Sequence, residues 1–386
     1  MLRDQKTFSY NIYFSSLLLI TISGIIISAY LVNTHYRNYT DLTYSSFCAI
    51  SKTINCDTVA QSPWSIAFGL PVALWGFFSY ILFLTILLPL YKRNQAALPL
   101  WSLLVLLGGI YSLVSLFLSY ISAAKIHSYC LLCLLSYAIN FALSYMSWII
   151  RKRFNPNPFL TDLHLSISYI AKSKKFCIVI GILLILCILP KIFLPKYWKL
   201  EPPPISTNVS HGLTESGHPW IGAKQPSLTI EEFTDYQCFQ CAKTHLMLRH
   251  LVEEHPATIR LVHHHYPMDH EFNPIVVPEP FHVGSGKMAM IGIYAASKNK
   301  FWEMNDVLYA IGREKQPFNT KTLAKMTGFP AGELAAAIRS PQIKEALLHD
   351  IRKGMKLRIT GTPTFVINDK VYQGAIPADI LKAIIQ

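Results

Sequence analysis

The chain has 386 residues, 52% of them hydrophobic, and a mean hydropathy of +0.31. Both values are too high for one small soluble domain, so we expect a membrane part and a globular part. The net charge of +13 does not indicate nucleic-acid binding, because most of the excess Lys and Arg lies beside apolar segments in residues 1–226, as topology signals do.

Five apolar segments are long enough to cross a bilayer as helices. They are residues 12–32, 66–90, 96–121, 129–150 and 176–194. The first segment is long for a signal peptide, and no small-x-small cleavage pattern follows it, so we expect it to be retained. Ten Lys and Arg residues flank one side of the helices, and three (Arg37, Lys52 and Lys125) flank the other side before the last helix. The positive-inside rule therefore places the N-terminus in the cytoplasm and the loop 33–65 and the C-terminal part outside.

Six of the eight cysteines form close pairs, which indicates thiol–disulfide exchange. The pairs are Cys48/Cys56, Cys130/Cys133 and Cys238/Cys241. Cys130 and Cys133 lie one turn apart at the start of an apolar helix, where the helix dipole favours a thiolate. Because a helix rises about 1.5 Å per residue, Cys133 is expected deeper in the membrane than Cys130. Cys177 and Cys187, inside the fifth helix, are interpreted as packing residues.

Residues 196–226 begin with a proline-rich stretch and are interpreted as a semi-rigid linker. A soluble domain is predicted after them, with alternating strand and helix patterns. We expect strands at 227–233 and 257–265, a helix at 238–254, helices between 288 and 358 broken near 316–317 and 329–330, a hairpin of 364–368 and 370–373, and a final helix at 379–385.

Cys238-Phe239-Gln240-Cys241 lies at a strand-to-helix junction. A cysteine on the first turn of a helix attacks disulfides, and a second cysteine three residues later resolves the mixed disulfide. The same spacing is half of a zinc site, for which the nearest second half is His263-His264-His265. These histidines alternate between the two faces of a strand, so we interpret them as an ordinary strand end and expect no metal.

Two further features lie near this motif. The acidic residues Glu231, Glu232 and Asp235 are interpreted as solvated charges, with proton transfer by one of them as the alternative. The pair Thr362-Pro363 puts a proline directly before a strand, which favours a cis-proline turn over a central strand.

Residues 227–386 resemble a thioredoxin-fold domain, through the C-x-x-C motif and through Thr362-Pro363, which matches the cis-proline loop. The long separation of Cys241 from Pro363 is similar to that of the DsbA-like branch, in which a helical domain is inserted. Gln240 stands where DsbA has a thiolate-stabilising histidine, so the resemblance does not imply the oxidising strength of the site.

Residues 1–150 resemble the vitamin K epoxide reductase (VKOR) family, specifically its bacterial members fused to a thioredoxin-like domain. The resemblance rests on Cys48 and Cys56 in the first outer loop, then Ser62, Trp64, Gly69-Leu70-Pro71, and Cys130 and Cys133 followed by Tyr137-Ala138. It implies a catalytic bundle of four membrane helices that binds a quinone, ubiquinone or menaquinone, beside Cys133.

Three residues are candidates for contact with that quinone. Tyr137 lies four residues after Cys133, on the same helix face, and its hydroxyl is a candidate donor to a quinone oxygen, with packing as the alternative. Ser62 is a second candidate donor, with a backbone partner as the alternative. Trp64 is either a third quinone contact or an interfacial anchor.

These expectations define an α-helical membrane bundle followed by an α/β thioredoxin-fold domain with a helical insertion. The expected parts are a VKOR-like domain (1–150), a cytoplasmic loop with the fifth helix (151–195), the linker (196–226) and a periplasmic DsbA-like domain (227–386). The whole is expected in a bacterial inner membrane, surrounded by the lipid bilayer.

The expected function is a quinone-dependent oxidoreductase that forms disulfides in unfolded or reduced exported proteins. Electrons pass from Cys238/Cys241 to Cys48/Cys56, then to Cys130/Cys133 and finally to quinone. The alternatives are reverse electron flow that keeps the outer domain reduced, reduction of a quinone epoxide, and a membrane-anchored metal-binding module.

Overall fold

A computed structural model describes residues 9–41, 44, 46–51, 53–155, 157–199, 201–204, 209–313, 319–377 and 380. The chain folds as two compact units, and Tyr197 and Trp198 lie on either side of the boundary between them.

The first unit is helical. Its helices are α1 (Tyr10–Thr40), α2 (Cys56–Ala60), α3 (Val72–Leu87), α4 (Leu100–Ile121), α5 (Leu131–Phe154), α6 (Phe159–Lys172) and α7 (Lys174–Phe193), and a two-stranded hairpin of β1 (Ile66–Ala67) and β2 (Leu70–Pro71) precedes α3. In the described residues, α1, α3, α4, α5 and α7 are long and apolar enough to cross a membrane. A helix can cross lipid because its backbone N–H and C=O groups bond to one another. This confirms the five predicted spans.

The helices α1, α3, α4 and α5 pack into a bundle around a buried core that includes Leu17, Phe83, Trp101 and Leu143. The helix α7 takes little part in it. Its most apolar window is 6% buried by protein, against 22–28% for the other four spans. The surface of α7 is therefore available to lipid.

Three boundaries differ from the prediction. The helix α1 continues to Thr40, because the polar residues His35 and Asn38 in its last turns are buried rather than exposed. The second span begins at Val72 instead of residue 66, since Gly69 adopts a left-handed φ of 78° in the tight turn of the β1–β2 hairpin. The stretch 151–195, predicted as a loop and a helix, also contains α6, which is held by the buried carboxylate of Asp162.

The second unit contains a six-stranded sheet covered by helices. The strands are β3 (Ser210–Leu213), β4 (Pro219–Gly222), β5 (Leu228–Thr234), β6 (Ile259–His265), β7 (Thr364–Ile367) and β8 (Lys370–Gln373), in the order β3-β4-β6-β5-β7-β8. The strands β5 and β6 are parallel, and every other described pair is antiparallel. The helices are α8 (Phe239–Glu254), α9 (Ser285–Ser297), α10 (Phe301–Arg313), α11 (Thr320–Thr327), α12 (Ala331–Ala337) and α13 (Pro341–Lys356).

The predicted strands, the helix after the C-x-x-C motif and the hairpin are present within a residue or two, which confirms an α/β domain with inserted helices. The linker interpretation of 196–226 is wrong for β3 and β4, which are hydrogen-bonded edge strands of the sheet. They are short and glycine-rich, so their pattern does not separate them from a linker. Two further helix breaks occur at 298–300 and 338–340. The break at 316–317 and all but one residue of the helix at 379–385 lie outside the described residues.

Candidate active site

The cysteines of the segment between α1 and α3 form a disulfide, Cys48–Cys56, with Cα atoms 5.6 Å apart. Cys56 begins α2, whose N-terminus is capped by the side chain of Asn55. The backbone N–H of Cys56 donates to the carbonyl of Cys48, so the loop closes on itself around the disulfide. Both cysteines are buried.

The loop is hydrogen-bonded to the chain just before the membrane C-x-x-C motif. The N–H of Asn55 donates to the carbonyl of Tyr129 at 2.9 Å, and the N–H of Tyr129 donates to the carbonyl of Thr53 at 2.7 Å. These two bonds form a short parallel bridge. They hold Cys56, the next residue after Asn55, close to Cys130, the next residue after Tyr129.

Cys130 and Cys133 form a second disulfide at the start of α5, with Cα atoms 5.1 Å apart. The sulfur of Cys130 caps the helix by accepting from the N–H of Cys133 at 3.1 Å. Cys48, Cys56 and Cys130 pack in one buried cluster, with Cys133 packed against it. The structure therefore brings together all four cysteines that we assigned to the membrane domain.

The candidate quinone contacts are placed differently. The hydroxyl of Ser62 donates to the backbone carbonyl of Val59 at 2.8 Å, as in the alternative given above. Trp64 is 47% exposed. Tyr137 is partly buried on α5, and within the described part of the chain its hydroxyl makes no hydrogen bond. Of the three, Tyr137 is the one with a free donor at membrane depth.

The sequence reasoning missed a buried carboxylate next to the loop disulfide. Asp57 follows Cys56, and its two oxygens accept from the side chain of Asn38 and from the N–H of Ser46, both at 3.0 Å. The side-chain oxygen of Asn38 in turn accepts from Gln61 at 3.0 Å. An acidic residue directly after a cysteine, with an asparagine near the end of an apolar helix, was the available signal for this network.

A second missed group lies inside the bundle. Asn140 is seven residues after Cys133 on α5, and its side chain accepts from the Tyr80 hydroxyl at 2.7 Å and donates to Ser115 at 2.9 Å. Polar side chains at membrane depth pair with one another because lipid offers them no partner. The network links α3, α4 and α5. The isolated Asn140 in an apolar run was the sequence feature that could have indicated it.

The third cysteine pair lies at the start of α8 as two thiols. Cys238 is the N-cap, and its sulfur accepts from the N–H of Cys241 at 3.2 Å. The Cys238 thiol donates to the carbonyl of Thr362 at 3.5 Å, and the Thr362–Pro363 bond is cis. Cys238 is partly exposed and Cys241 is buried. The arrangement suits an outer attacking thiol and an inner resolving thiol.

The surroundings separate the two thiols electrostatically. Burial raises the pKa of Cys238, but hydrogen bonds from Cys241 and the charge of His282 outweigh burial and the repulsion of Asp235, so this pKa lies below its usual value. Burial and the neighbouring Cys238 both raise the pKa of Cys241 well above its usual value. This order of the two pKa values favours Cys238 as the attacking thiol, and Cys241 must lose a proton before it reacts.

Two of the three acidic residues before the motif are not solvated, which corrects our interpretation for Glu232 and Asp235, whereas the side chain of Glu231 is 31% exposed. Glu232 is fully buried and Asp235 is 1% exposed. Asp235 accepts from the N–H groups of Gln237 and Met268, both at 2.6 Å, so it holds the loop before Cys238 in place. The sequence did not reveal this burial, because it does not show that β5 is covered on both faces.

The histidine run alternates between the two faces of the sheet, as predicted for a strand. His263 lies 3.0 Å from Glu232, whereas His264 lies 2.9 Å from Glu231. Within the described residues, two groups have spacing that could hold a metal ion: His218, His349 and Asp350, and Glu232, His245 and His263. Neither group contains Cys238 or Cys241, so the geometry does not assemble the Cys–His zinc site.

Comparisons with known proteins find one family match in each half of the chain. Residues 16–148 match the family described as "Vitamin K epoxide reductase family", and residues 214–386 match the family described as "Thioredoxin". The second match begins within the stretch that was interpreted as a linker, after β3 and before β4.

Two curated relatives are Na(+)/H(+) antiporters, NhaA 3 of Salinispora tropica and NhaA 1 of Salinispora arenicola. The chain is 22% identical to each over 162 residues, which is 42% of this chain and 23% of each antiporter. The chain thus spans less than a quarter of the length of these relatives.

Similar solved structures each cover less than half of this chain. A thioredoxin-like oxidoreductase from Silicibacter pomeroyi has 21% identity and a TM-score of 0.35, covering 44% of this chain and 90% of that one. Oxidised BdbD from Bacillus subtilis has 19% identity and a TM-score of 0.35, covering 46% and 96%. DsbA2 from Pseudomonas aeruginosa has 22% identity and a TM-score of 0.34, covering 43% and 91%.

The described residues thus combine five helices long and apolar enough to span a membrane, three cysteine pairs, and one family match in each half of the chain.

Proposed function

We propose that this protein forms disulfides in reduced exported proteins and passes the electrons to a membrane quinone. The observation that carries the proposal is the buried cluster of Cys48, Cys56 and Cys130, with Cys133 packed against it. Thiol–disulfide exchange needs direct contact between an attacking sulfur and a disulfide, and this cluster provides it within the membrane domain.

The first step takes place at the thioredoxin domain. A thiolate of the exported protein attacks the Cys238 sulfur of the Cys238–Cys241 disulfide, and Cys241 leaves as a thiolate. A second substrate thiolate then attacks the mixed disulfide, so the substrate gains one disulfide and the domain becomes a dithiol. The low pKa of Cys238 makes it a good leaving group in this second attack.

The dithiol is then reoxidised by the loop. The Cys238 thiolate attacks the Cys56 sulfur, and Cys48 leaves as a thiolate. Cys241 then attacks the Cys238 sulfur and expels Cys56, so both loop cysteines are reduced. Cys48 next attacks the Cys130 sulfur and releases Cys133 as a thiolate. Cys56 then attacks the Cys48 sulfur, which restores the loop disulfide and expels Cys130 as a thiolate. Each exchange moves two electrons and ends with one disulfide restored. The bridge between the loop and Tyr129 keeps the second exchange short-range.

The residues around Cys133 fit a quinone in part. When bound, a quinone accepts two electrons and two protons. The Tyr137 hydroxyl makes no hydrogen bond within the described residues, which supports a role as donor to a quinone oxygen, whereas the Ser62 hydroxyl already donates to the carbonyl of Val59. We therefore assign Tyr137 as the main donor, give Ser62 a structural part in the loop, and keep Trp64 as an interfacial residue.

The orientation that this function requires has the N-terminus in the cytoplasm and the thioredoxin domain in the periplasm of a bacterial inner membrane. The positive charge bias supports it, because the Lys- and Arg-rich ends of the helices then face the cytoplasm. An oxidising compartment for Cys238 and Cys241 follows from that placement.

A reconstituted assay tests the proposal. The full chain in lipid nanodiscs is given a reduced, unfolded protein and a short-chain quinone, and thiol loss and quinol formation are followed together. We expect one quinol for every two thiols lost. Thiol oxidation at an unchanged rate without quinone, or quinol formation without thiol loss, would contradict the proposal.

The matched variants are Cys133→Ala and Cys177→Ala. Cys177 is an exposed cysteine of α7 outside every pair, so its replacement should leave the rate unchanged. Cys133→Ala should abolish quinol formation while a Cys48–Cys130 mixed disulfide accumulates. Parent-level activity of Cys133→Ala would show that Cys133 does not deliver the electrons.

A further inference from the structure

A group of histidines outside the redox site surrounds the carboxylate of Asp350 on α13. One oxygen of Asp350 lies 2.6 Å from Nε2 of His218, the residue directly before β4. The same oxygen lies 3.6 Å from Nδ1 of His264 on β6. His349 precedes Asp350, and one ligand atom each of His218, His349 and Asp350 lie within 4.8 Å of one another. No step of the proposed function uses this group.

Hydrogen bonds from outside the group orient two of its members. Nδ1 of His218 bonds to the hydroxyl of Ser216 at 2.8 Å, and the second oxygen of Asp350 accepts from the backbone N–H of His265 at 3.0 Å. Outer partners of this kind orient metal ligands and select the histidine tautomer. When Nδ1 of His218 donates to the hydroxyl, Nε2 carries no proton and presents its lone pair to Asp350. Two electron-rich atoms at that distance need a cation between them.

A buried nitrogen next to the same carboxylate lacks a partner. His264 is 1% exposed, and its Nδ1 has no hydrogen-bond partner among the described residues, because 3.6 Å is too long for a hydrogen bond. Its ring centroid lies 4.1 Å from that of His218, which lies 6.4 Å from that of His349. An unsatisfied buried nitrogen costs free energy, which a bound cation would offset. Imidazole nitrogen and carboxylate oxygen are both zinc ligands.

The group can be reached from solvent, and the cations near it are neutralised. His349 is exposed and lines a depression on the surface of α13 together with Glu345 and Arg352. The two cations that follow on α13 are each paired with a carboxylate. Arg352 lies 2.8 Å from Glu345, and Lys353 lies 2.7 Å from Glu231. Their charges therefore oppose a bound metal ion less than free cations would.

We propose that His218, His349 and Asp350 form a binding site for a divalent metal ion of the zinc class. Nδ1 of His264 is available for the fourth position. The site joins the turn before β4 to α13, so the ion fastens the β3–β4 edge of the sheet to a helix that packs on it. It contains no cysteine, unlike the zinc site considered from the sequence, and it goes beyond the proposed function. The other group with suitable spacing, around Glu232, is at most 1% exposed and offers no comparable entry.

The test is zinc binding by the full chain in nanodiscs, purified without a histidine tag. The cysteine pairs are first oxidised and the remaining thiols alkylated, because thiolates also bind zinc. Equilibrium dialysis against buffered Zn²⁺, followed by measurement of the zinc content, gives the affinity and the number of ions per chain. We expect one ion per chain in the parent protein.

Three variants separate the proposed site from other zinc ligands. His349→Ala removes an exposed ligand, so folding should be preserved, and it should weaken binding on the order of 10²-fold or more. Ser216→Ala removes the outer partner of His218 and should weaken binding on the order of 10-fold. His250→Ala replaces an exposed histidine of α8 and is the matched control, which should bind zinc as the parent does.

Hydrogen exchange locates the bound ion. Zn²⁺ should slow the exchange of peptides covering 210–222 in the parent and not in His349→Ala, because an ion that binds the folded state stabilises it. Absence of zinc binding by the parent, parent-like affinity in His349→Ala, or equal loss in His250→Ala would overturn the proposed site. Neither quinone nor a substrate protein is present in these measurements, so this proposal and the proposed function fail separately.

Discussion

Replacing Asp57 by Ala should release the loop that carries Cys48 and Cys56 from α1 while leaving both disulfides of the membrane domain intact. The carboxylate is 6% exposed and accepts from Asn38 and from the N–H of Ser46. Without it, both donors lose their partner inside a buried site. The loop is then held mainly by its backbone bonds to Tyr129.

The size of the effect follows from the two bonds. A hydrogen bond to a charged group contributes about 1.5–3 kcal/mol, so two of them give roughly 3–6 kcal/mol as an upper bound. Water that reaches the freed donors recovers part of this, and we expect a loss of about 2–4 kcal/mol in the free energy of loop docking. At a factor of ten per 1.4 kcal/mol, the open population should rise roughly 30–1,000-fold.

Hydrogen exchange of the full chain in nanodiscs measures this directly. Peptides covering 46–57 should exchange faster by that factor in Asp57→Ala, while peptides from β6 keep the parent rate. Asp57→Asn keeps one acceptor oxygen and should give an intermediate value. Electron transfer from the loop cysteines to Cys130 should also slow, most in Asp57→Ala and less in Asp57→Asn. Parent-like exchange in Asp57→Ala would refute the reasoning that this carboxylate positions the loop.

Three further outcomes are expected. Protease added to intact spheroplasts should remove the thioredoxin domain, and protection of this domain would contradict the proposed orientation. With Cys241 replaced by Ala, the trapped intermediate should join Cys238 to Cys56, and trapping on Cys48 alone would reverse the assigned order of the loop thiols. Tyr137→Phe should slow quinol formation on the order of 10²-fold, as for the loss of an oxyanion donor. Ser62→Ala should slow it less, since its hydroxyl donates to Val59, and equal effects in kinetic assays would contradict this ranking.

The features of the molecule that depend on a local sequence pattern were predictable. Apolar segments of sufficient length gave the five spans, and the C-x-x-C spacing with the distant Thr362-Pro363 gave the thioredoxin-fold domain, because each depends on a short stretch of sequence. The alternation of His263 and His264 between sheet faces also followed from strand geometry alone.

The remaining parts depend on contacts between distant residues. The burial of Glu232 requires a strand covered on both faces and histidines from two other elements, none of which its own neighbours reveal. The strands β3 and β4 exist because β6 offers an edge to pair with. The bonds between Asn55 and Tyr129 join positions far apart in the chain, and no periodicity indicates them.

The helix α7 has a consequence for how such a protein is delivered to its compartment. Four crossings return a chain to the side on which it started, so in the proposed topology the four-helix bundle alone would leave its fused domain in the cytoplasm. A fifth crossing makes the number of crossings odd. In this topology it places the domain outside, and the domain needs no export signal of its own. Because little of α7 is covered by protein, this role depends on length and apolar character more than on particular side chains.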